Sequence, residues 1–292
     1  MIDLHMHSNL SLDGEFTPRE LIDQCVEKAL KIISITDHNH AGAYTDAKEY
    51  AAFKGIQLIP GIEIDCLYGD TPLHLLAYGL SPDIPAVKTL CDAQYQLEVN
   101  ASKNRVLAAQ RLGFDITLAD FDYLNNTVIT PEDIAEVLLH HKNYPRHPLL
   151  LPYRKGGIRA DNPLVNFYWD YYSKGKPCYE QLSYPTLDEV INMIHLNDGI
   201  AVLAHPGITF RENFDLIEEI IQQGLDGLEV FSSYHYPLET RTLFELAKSK
   251  DLLMTAGSDY HGKIKPSVQL GVIDYHGLYE KFIHQYNVRK PY

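Results

Sequence analysis

"IDLHMHSNLSLDGEFTPRELIDQCVEKALKIISITDHNH" (residues 2–40) decides the fold class. It opens on a short apolar run, "IDLHMH", that ends in two histidines. A helical stretch follows, "TPRELIDQCVEKAL" (17–30). Thr17 stands at its N-cap, Pro18 at its first position, and Glu20 completes a capping box. A second apolar run, "IISITDHNH" (32–40), again ends in metal-ligand side chains, Asp37 and His38. Strand, helix and strand in this order predict a βαβ unit with parallel strands.

The arrangement recurs along the chain. "IQLIPGIEID" (56–65) ends in Glu63, "LHLLAYG" (73–79) carries His74, and "IAVLAHPG" (200–207) ends in His205. "GLEVFSS" (227–233) carries Glu229, and "LLMTAGSDYHG" (252–262) ends in Asp259 and His261. Short apolar runs of this kind read as strands buried on both faces. Helical patterns lie between most of them, at 41–55, 186–199, 213–224 and 237–250. About seven strands, with ligand-type residues at or near their C-terminal ends, predict an α/β barrel. There the chemistry is assembled from different strands.

From about Leu80 to Leu182 the alternation stops. Helical patterns cover 84–113, 130–142 and 162–175, with a Pro-rich basic loop, "YPRHPLLLPYRKGGIR", at 144–159. The expected division is therefore residues 1–80 and 183–292 for the barrel, and 81–182 for a mainly helical insertion beside the mouth of its site.

Composition sets further bounds. Of 292 residues, 45% are hydrophobic and 22% charged, which is a globular balance. No apolar stretch approaches the roughly 18 residues that span a bilayer, so no membrane association is expected. The net charge of −14 argues against stable binding of duplex nucleic acid, which needs basic surface. Asp3, His5 and His7 interrupt the N-terminal apolar run, so it does not read as a signal peptide. Cys25, Cys66, Cys91 and Cys178 are widely spaced, which fits reduced thiols and a cytoplasmic protein.

Fourteen histidines are an excess for this length. His5 and His7 stand at i and i+2, so on a strand they share a face and could grip one cation. Read alone, they fit equally a pair of partly exposed terminal histidines. Asp259 and His261 repeat the spacing. Carboxylates and imidazoles together suit Zn2+, Mn2+ or Fe2+. A carboxylate at Glu63 could bridge two cations, although a lone Glu there reads more simply as a cap or surface residue. Of Asp37 and His38, one could bind metal and the other orient a ligand. Glu229 reads as a similar supporting group or as a neighbour of the core. His74, in mid-strand, has the weakest pattern, and Asp13 reads locally as a turn residue.

The motifs "DLHMHS" with "S-x-DG" (3–14), "SITDHN" (34–39), "PGIEI" (60–64), "HLLAYG" (74–79), "AVLAHPG" (201–207), "GLEVFSS" (227–233) and "GSDYHG" (257–262) resemble, in order, those of the PHP (polymerase and histidinol phosphatase) superfamily. They are most similar to its stand-alone metal-dependent phosphoesterases, which act on nucleotide 3′,5′-bisphosphates or short RNA 5′ ends. The resemblance covers residues 1–80 and 183–262. It implies an α/β fold, a distorted seven-stranded (β/α)7 barrel with a helical insertion, holding three divalent metal ions. It implies His5, His7, Glu63 and Asp259 around the first metal, and Asp13, His38 and His261 around the second. Glu63, His74 and His205 would hold the third, with Glu63 bridging.

The expected chemistry is hydrolysis of a phosphate ester of a small molecule, such as a nucleotide or short oligonucleotide. Clustered cations make hydroxide available near neutral pH, so a metal-bound hydroxide would attack phosphorus in line. The subgroup carries an Arg-x-His element in the insertion, and here "VITPEDIAEVLL" (128–139) occupies that place. Lys103, Arg105, Arg154 and Arg159 are the basic residues that could meet a substrate phosphate instead. The aromatic group Phe167, Tyr168, Trp169, Tyr171 and Tyr172 fits the packed face of a helix better than a base-stacking platform. An amidohydrolase-type barrel acting on a non-phosphate bond, or a non-catalytic metal-binding protein, would share the His-x-His start.

Overall fold

The computed structural model describes residues 1–124, 128–211, 213–271 and 279–289 of the chain. It is an α/β protein in two compact units. One comprises Met1–Cys91, Tyr184–Tyr260 and Val268–Tyr292, the other Asp92–Ser183 and His261–Ser267. In chain order the helices are α1 Pro18–Glu27, α2 Ala43–Phe53, α3 Pro85–Arg111, α4 Pro131–His140, α5 Pro163–Phe167, α6 Leu187–Leu196, α7 Pro206–Thr209, α8 Asp215–Ile221, α9 Pro237–Ser249 and α10 Tyr279–Arg289.

The first unit begins with three short parallel strands, β1 (Ile2–Asp3), β2 (Ile32–Ile33) and β3 (Gln57–Leu58). They are joined by α1 and α2, as the opening βαβ reading requires. Thr17 and Glu20 close a capping box at the start of α1. Leu21, Ile22 and Cys25 of α1 and Ala43, Ala47 and Ala51 of α2 pack with Ile33 and Ile35. Small side chains on α2 allow that close approach.

A second sheet has the order β4-β5-β6-β7-β8, with β4 Gly61–Tyr68, β5 Thr71–Tyr78, β6 Ile200–Leu203, β7 Gly227–Ser232 and β8 Leu253–Gly257. Here the all-parallel expectation fails. β4 and β5 form an antiparallel hairpin, and β5 also runs antiparallel to β6. The cause is the Gly69-Asp70 turn between Tyr68 and Thr71, in which Gly69 takes the left-handed conformation (φ 58°). Glu63 likewise stands near the start of a strand, not at an end. Pro60, which has no N–H to donate, separates β3 from β4. The pairings among the described residues fall into two sheets, and a closed barrel is not among them.

The sheets nevertheless meet at both edges. Leu4 N donates to Ala256 O at 2.9 Å and His7 N to Tyr260 O at 2.9 Å, where Met6 and Tyr260 form a parallel bridge. At the other edge His38, beyond β2, bridges Glu63 of β4, where Glu63 N donates to Asp37 O at 3.2 Å and Asn39 N to Glu63 O at 2.7 Å. Ile2, Leu4, Leu76, Tyr78, Val202, Leu253 and Phe282 of α10 share one buried cluster drawn from both sheets. On the outer side, α6, α8 and α9 cover β4 to β8 through Val190, Ile194, Ile217, Ile220, Leu243 and Ala247. Each of these buried Val, Ile and Leu side chains contributes about 1.5–3 kcal/mol.

The second unit has its own core, which includes Val106, Ala109, Phe121, Ile134, Leu138, Phe167 and Tyr172. Thr130 and Asp133 form the capping box of α4, with Pro131 at its first position. α5 continues into a π-helical turn, Tyr168–Tyr172, whose Phe167 and Tyr172 are buried while Trp169 is exposed. No helix among the described residues is long and apolar enough to cross a membrane.

Candidate metal centre

The ligand-type residues converge because β1, β2, β6 and β8 are cut short. His5, His205 and Asp259 lie two residues beyond the last residue of a strand, and His38 lies five residues beyond β2. Chain that has left the ladder can take conformations that aim a side chain inward. His205 has φ 28° and Asp259 φ 57°, both in the left-handed region that non-glycine residues rarely occupy. Such outliers persist where surrounding structure over-determines them, commonly at functional sites. Gly257 matters for the same closeness. A Cβ there would overlap His5 Cβ and Glu229 Oε1.

Four buried groups form the tightest set. His5 Nε2 lies 3.0 Å from Glu63 Oε2, 3.2 Å from Asp259 Oδ1 and 3.2 Å from His7 Nε2. His7 Nε2 lies 3.1 Å from Glu63 Oε2 and 3.0 Å from Asp259 Oδ1. Five of the six separations among these four ligand atoms are thus 3.0–3.2 Å, close to the spacing of neighbouring donors that each lie roughly 2.0–2.2 Å from one cation. Two imidazole nitrogens and two carboxylate oxygens facing one point are a donor set for a divalent cation, so the residues present fit a metal.

Glu63 joins this set to another. Its Oε1 is 2.9 Å from His74 Nδ1 and 3.1 Å from His205 Nε2. The two oxygens of one carboxylate therefore face different groups of imidazoles. His7, Asp13 and His38 also present ligand atoms within 4.8 Å of one another. The local basis for Asp13 is Ser11, whose hydroxyl donates to Asp13 Oδ1 at 2.8 Å and also receives the N–H of His38. His261 is buried and heads the short segment that belongs to the second unit.

Supporting contacts fix these side chains. Glu229 Oε1 lies 3.0 Å from His5 Nδ1, and its Oε2 accepts the backbone N–H of His205 at 2.8 Å. Asp37 does not point into the cluster. It accepts from the backbone N and the hydroxyl of Ser8, at 2.6 and 2.7 Å, and so holds the turn after His7. Sequence reasoning missed Tyr234, whose hydroxyl donates to Asp259 Oδ2 at 2.6 Å and leaves Oδ1 toward the histidines. It also missed Asp65, which forms a ligand-capable group with His38 and His74. The signal for Asp65 was its i+2 spacing from Glu63.

Charge coupling is strong. Burial works against the His5 imidazolium, yet Glu63, Glu229 and Asp259 leave its pKa well above the ordinary value. Burial opposes the His38 cation too, and Glu63, Asp13 and Asp65 still raise it to about 10. Burial would raise Glu63, but the surrounding imidazoles hold it well below the carboxylate range. Burial pushes Asp37 up to about 7. Without cations the centre thus compensates its carboxylates with protons on histidine.

The basic candidates of the second unit are engaged locally. Arg105 meets Glu98 at 2.5 Å and Ile129 O at 3.1 Å, and Arg154 donates to Leu139 O and Tyr144 O. Arg159 forms a fork with Asp170, at 2.9 and 2.8 Å. Lys103 is exposed. Three histidines outside the motifs are engaged elsewhere: His195 pairs with Asp226, His140 with Glu136 O, and His235 with Val230 O and the N–H of Gly207. His276 lies outside the described residues.

Known proteins resemble this chain along most of its length. A phosphoribosyl 1,2-cyclic phosphate 1,2-diphosphodiesterase from Eggerthella lenta is 26% identical over 263 residues, covering 89% of this chain and 94% of that protein. A 3′,5′-nucleoside bisphosphate phosphatase from Chromobacterium violaceum is 29% identical over 269 residues, covering 89% and 87%. The crystal structure of a metal-dependent phosphoesterase from Bifidobacterium adolescentis superposes with a TM-score of 0.77 at 26% identity, covering 99% of this chain and 96% of that one. The family model of the PHP domain matches residues 3–242, and the chain belongs to that family.

Proposed function

We propose that this chain hydrolyses a phosphate ester of a small, nucleotide-like molecule at a centre of three divalent cations. That it is a metal-dependent phosphoesterase, and so a hydrolase, follows from its family and relatives. The observation that carries the finer reading is the division of Glu63. One oxygen faces His5 and His7, and the other faces His74 and His205. A carboxylate so divided is suited to bridging two cations.

His5, His7, Glu63 and Asp259 would hold the first cation, and Glu63, His74 and His205 another. Asp13, His38 and, by its place two residues past Asp259, His261 would hold the remaining one. Mn2+, Zn2+ and Fe2+ all suit these donors. Such ions neutralise phosphoryl oxygens and lower the pKa of water. The chain's own part is orientation. Glu229 holds His5, Ser8 anchors Asp37, and Tyr234 turns Asp259 inward.

The likeness to a nucleoside bisphosphate phosphatase and a phosphoribosyl cyclic phosphodiesterase supports a phosphorylated sugar or nucleotide as substrate. Of the four basic candidates, Lys103 is the exposed one and so the best placed to meet its phosphate. The hydrogen bonds and bridges at both edges support reading the two sheets as arcs of one distorted seven-stranded barrel, with β3 and β4 as a single interrupted strand. Residues 81–182 then form an insertion into it. Four free cysteines support a cytoplasmic setting.

Metal analysis of the purified protein, followed by a panel of phosphate esters with added Mn2+, tests this function. Hydrolysis of nucleotide or sugar phosphates with bound transition metal is expected. Protein that binds no such metal and cleaves none of the panel would rule it out.

A further inference from the structure

β7 lies between β6 and β8, and the turn that follows it, Ser233-Tyr234-His235, touches the chain that follows each of its neighbours. His235 N donates to Ser232 O at 3.2 Å and closes the turn. On the side of β8, Ser233 Oγ donates to Ser258 O at 2.8 Å, and the Tyr234 hydroxyl donates to Asp259 Oδ2 at 2.6 Å. On the side of β6, His235 Nε2 meets the backbone N–H of Gly207 at 3.0 Å, while its Nδ1 lies 2.9 Å from Val230 O.

The partners of His235 settle the roles of its ring. A carbonyl can only accept, so the proton is on Nδ1, and a backbone N–H can only donate, so Nε2 is the acceptor. Both nitrogens of a neutral imidazole are thereby used. The ring also lies close against Gly207, where a Cβ would stand 2.4 Å from His235 Cδ2. Glycine at 207 is what lets the ring come so near the turn that carries His205.

This turn reaches both candidate ligands that stand in the left-handed region, His205 (φ 28°) and Asp259 (φ 57°). Such conformations are costly and persist only where neighbouring contacts hold them. Three consecutive side chains supply contacts of that kind on both sides. The turn is itself anchored by Arg211. Its guanidinium donates to Tyr234 O at 2.9 Å, forms a fork with Glu239 at 2.6 and 3.2 Å, and lies over the Tyr236 ring, 4.4 Å from its centre.

We propose that Ser233, Tyr234 and His235 act as one clamp that holds the turns of His205 and Asp259 in the conformations their ligand roles need. His235 is then a positioning residue for the cation of Glu63, His74 and His205, as Tyr234 is for that of His5, His7, Glu63 and Asp259. The clamp rests on the reading of a metal centre above and keeps its ligand sets as they stand. It adds the means by which the protein aims two of them from a single turn.

Mn2+ added to metal-stripped protein tests this, with wild type, Tyr234→Phe, His235→Phe and His235→Gln compared by metal content, binding isotherm and circular dichroism. Tyr234→Phe removes only the hydroxyl, and His235→Phe keeps a flat ring beside Gly207 but no acceptor. Each Phe variant is expected to fold and to bind one Mn2+ equivalent at least about ten-fold more weakly. The amide oxygen of Gln can accept the Gly207 N–H, so His235→Gln is expected to bind Mn2+ more tightly than His235→Phe. A role in packing alone would favour the Phe variant. Nitrogen NMR of the wild-type histidine rings, which needs no variant to fold, is expected to show His235 protonated at Nδ1 and not at Nε2. Undiminished Mn2+ binding by either Phe variant, His235→Phe binding as tightly as His235→Gln, or a His235 proton on Nε2 would overturn the proposal and leave the cation positions standing. Wild-type protein that binds no Mn2+ at all would overturn both.

Discussion

His5 Nδ1 lies 3.0 Å from Glu229 Oε1, with both side chains fully buried. The contact places the His5 proton on Nδ1 and turns Nε2 toward His7, Glu63 and Asp259. Glu229 also receives the N–H of His205 at the strained turn after β6. One carboxylate thus positions two candidate ligands that follow different strands. Glu229→Gln keeps the volume but puts an amide N–H where an acceptor is needed. We expect Mn2+ at the tightest position to weaken by about 10–100-fold. Equilibrium dialysis of stripped protein checks this, and unchanged affinity would reduce Glu229 to a packing residue.

Glu63 is the charge that several imidazoles share. Replacing it by Gln removes that charge with little change in shape. The expected result is loss of more than one metal equivalent, because its two oxygens face separate sets. Phosphoesterase turnover should fall by at least about 100-fold, in line with the several kcal/mol that metal ions contribute to such transition states. Metal content and turnover measured on the same preparation are the check. Loss of a single equivalent would argue against a bridging role.

The metal-free protein should respond to pH in a definite direction. The pKa of His38 is raised from 6.5 to about 10. Its stabilising contribution is therefore fully present below about 6.5 and is lost as pH rises through about 10. Asp37, raised from 3.8 to about 7, acts with the same sign, because the folded state holds its proton more tightly. Its stability contribution falls as pH rises from about 4 to about 7. The Tm of stripped protein should decline from about pH 6.5 to about pH 9. Mn2+-loaded protein should resist that decline, since the cation takes the place of the protons and releases them on binding. Stripped protein that gains stability toward alkaline pH would contradict this assignment.

Gly257 is required by the closeness of β8 to the turn after β1. A methyl group there would run into His5 Cβ and the Glu229 carboxylate, and would stand 2.9 Å from His5 N. Gly257→Ala should destabilise the fold by about 1–3 kcal/mol, the usual effect of overpacking. It should also lower metal content by displacing His5. Thermal unfolding with metal analysis tests both, and a variant with wild-type Tm and full metal content would refute the steric argument.

Much of this centre was legible from residue order because several of its candidate ligands, among them His5, His205 and Asp259, lie just past the ends of strands, although Glu63 and His74 lie within β4 and β5. A short apolar run that ends in His or Asp carries both signals within a few residues, as in "IDLHMH" and "SITDHN". Asp13 was less legible, because it lies in a turn and only the resemblance of its motif singled it out. The β4–β5 hairpin was missed for a different reason. Strands buried on both faces show no alternation that reveals direction, and the only local sign was Gly69-Asp70. Tyr234 and His235 act through contacts to residues 25 and 28 positions away, a relation that spacing cannot express.

The arginines of the second unit carry the last expectation. Arg105 looks from sequence like a phosphate contact, but its guanidinium is engaged with Glu98 and the carbonyl of Ile129. Glu98 is itself buried, so removing its partner leaves a charge with reduced compensation in a poorly solvated place. Arg105→Ala should therefore cost about 1–3 kcal/mol of stability, the penalty of a buried acceptor left unsatisfied. KM for the best ester of the panel should stay within about two-fold, because an interaction not made with substrate does not enter its binding. Unfolding and steady-state kinetics on the same variant separate the two roles. A large rise in KM with an unchanged Tm would make Arg105 a substrate contact, and its ion pair with Glu98 a resting arrangement that substrate displaces.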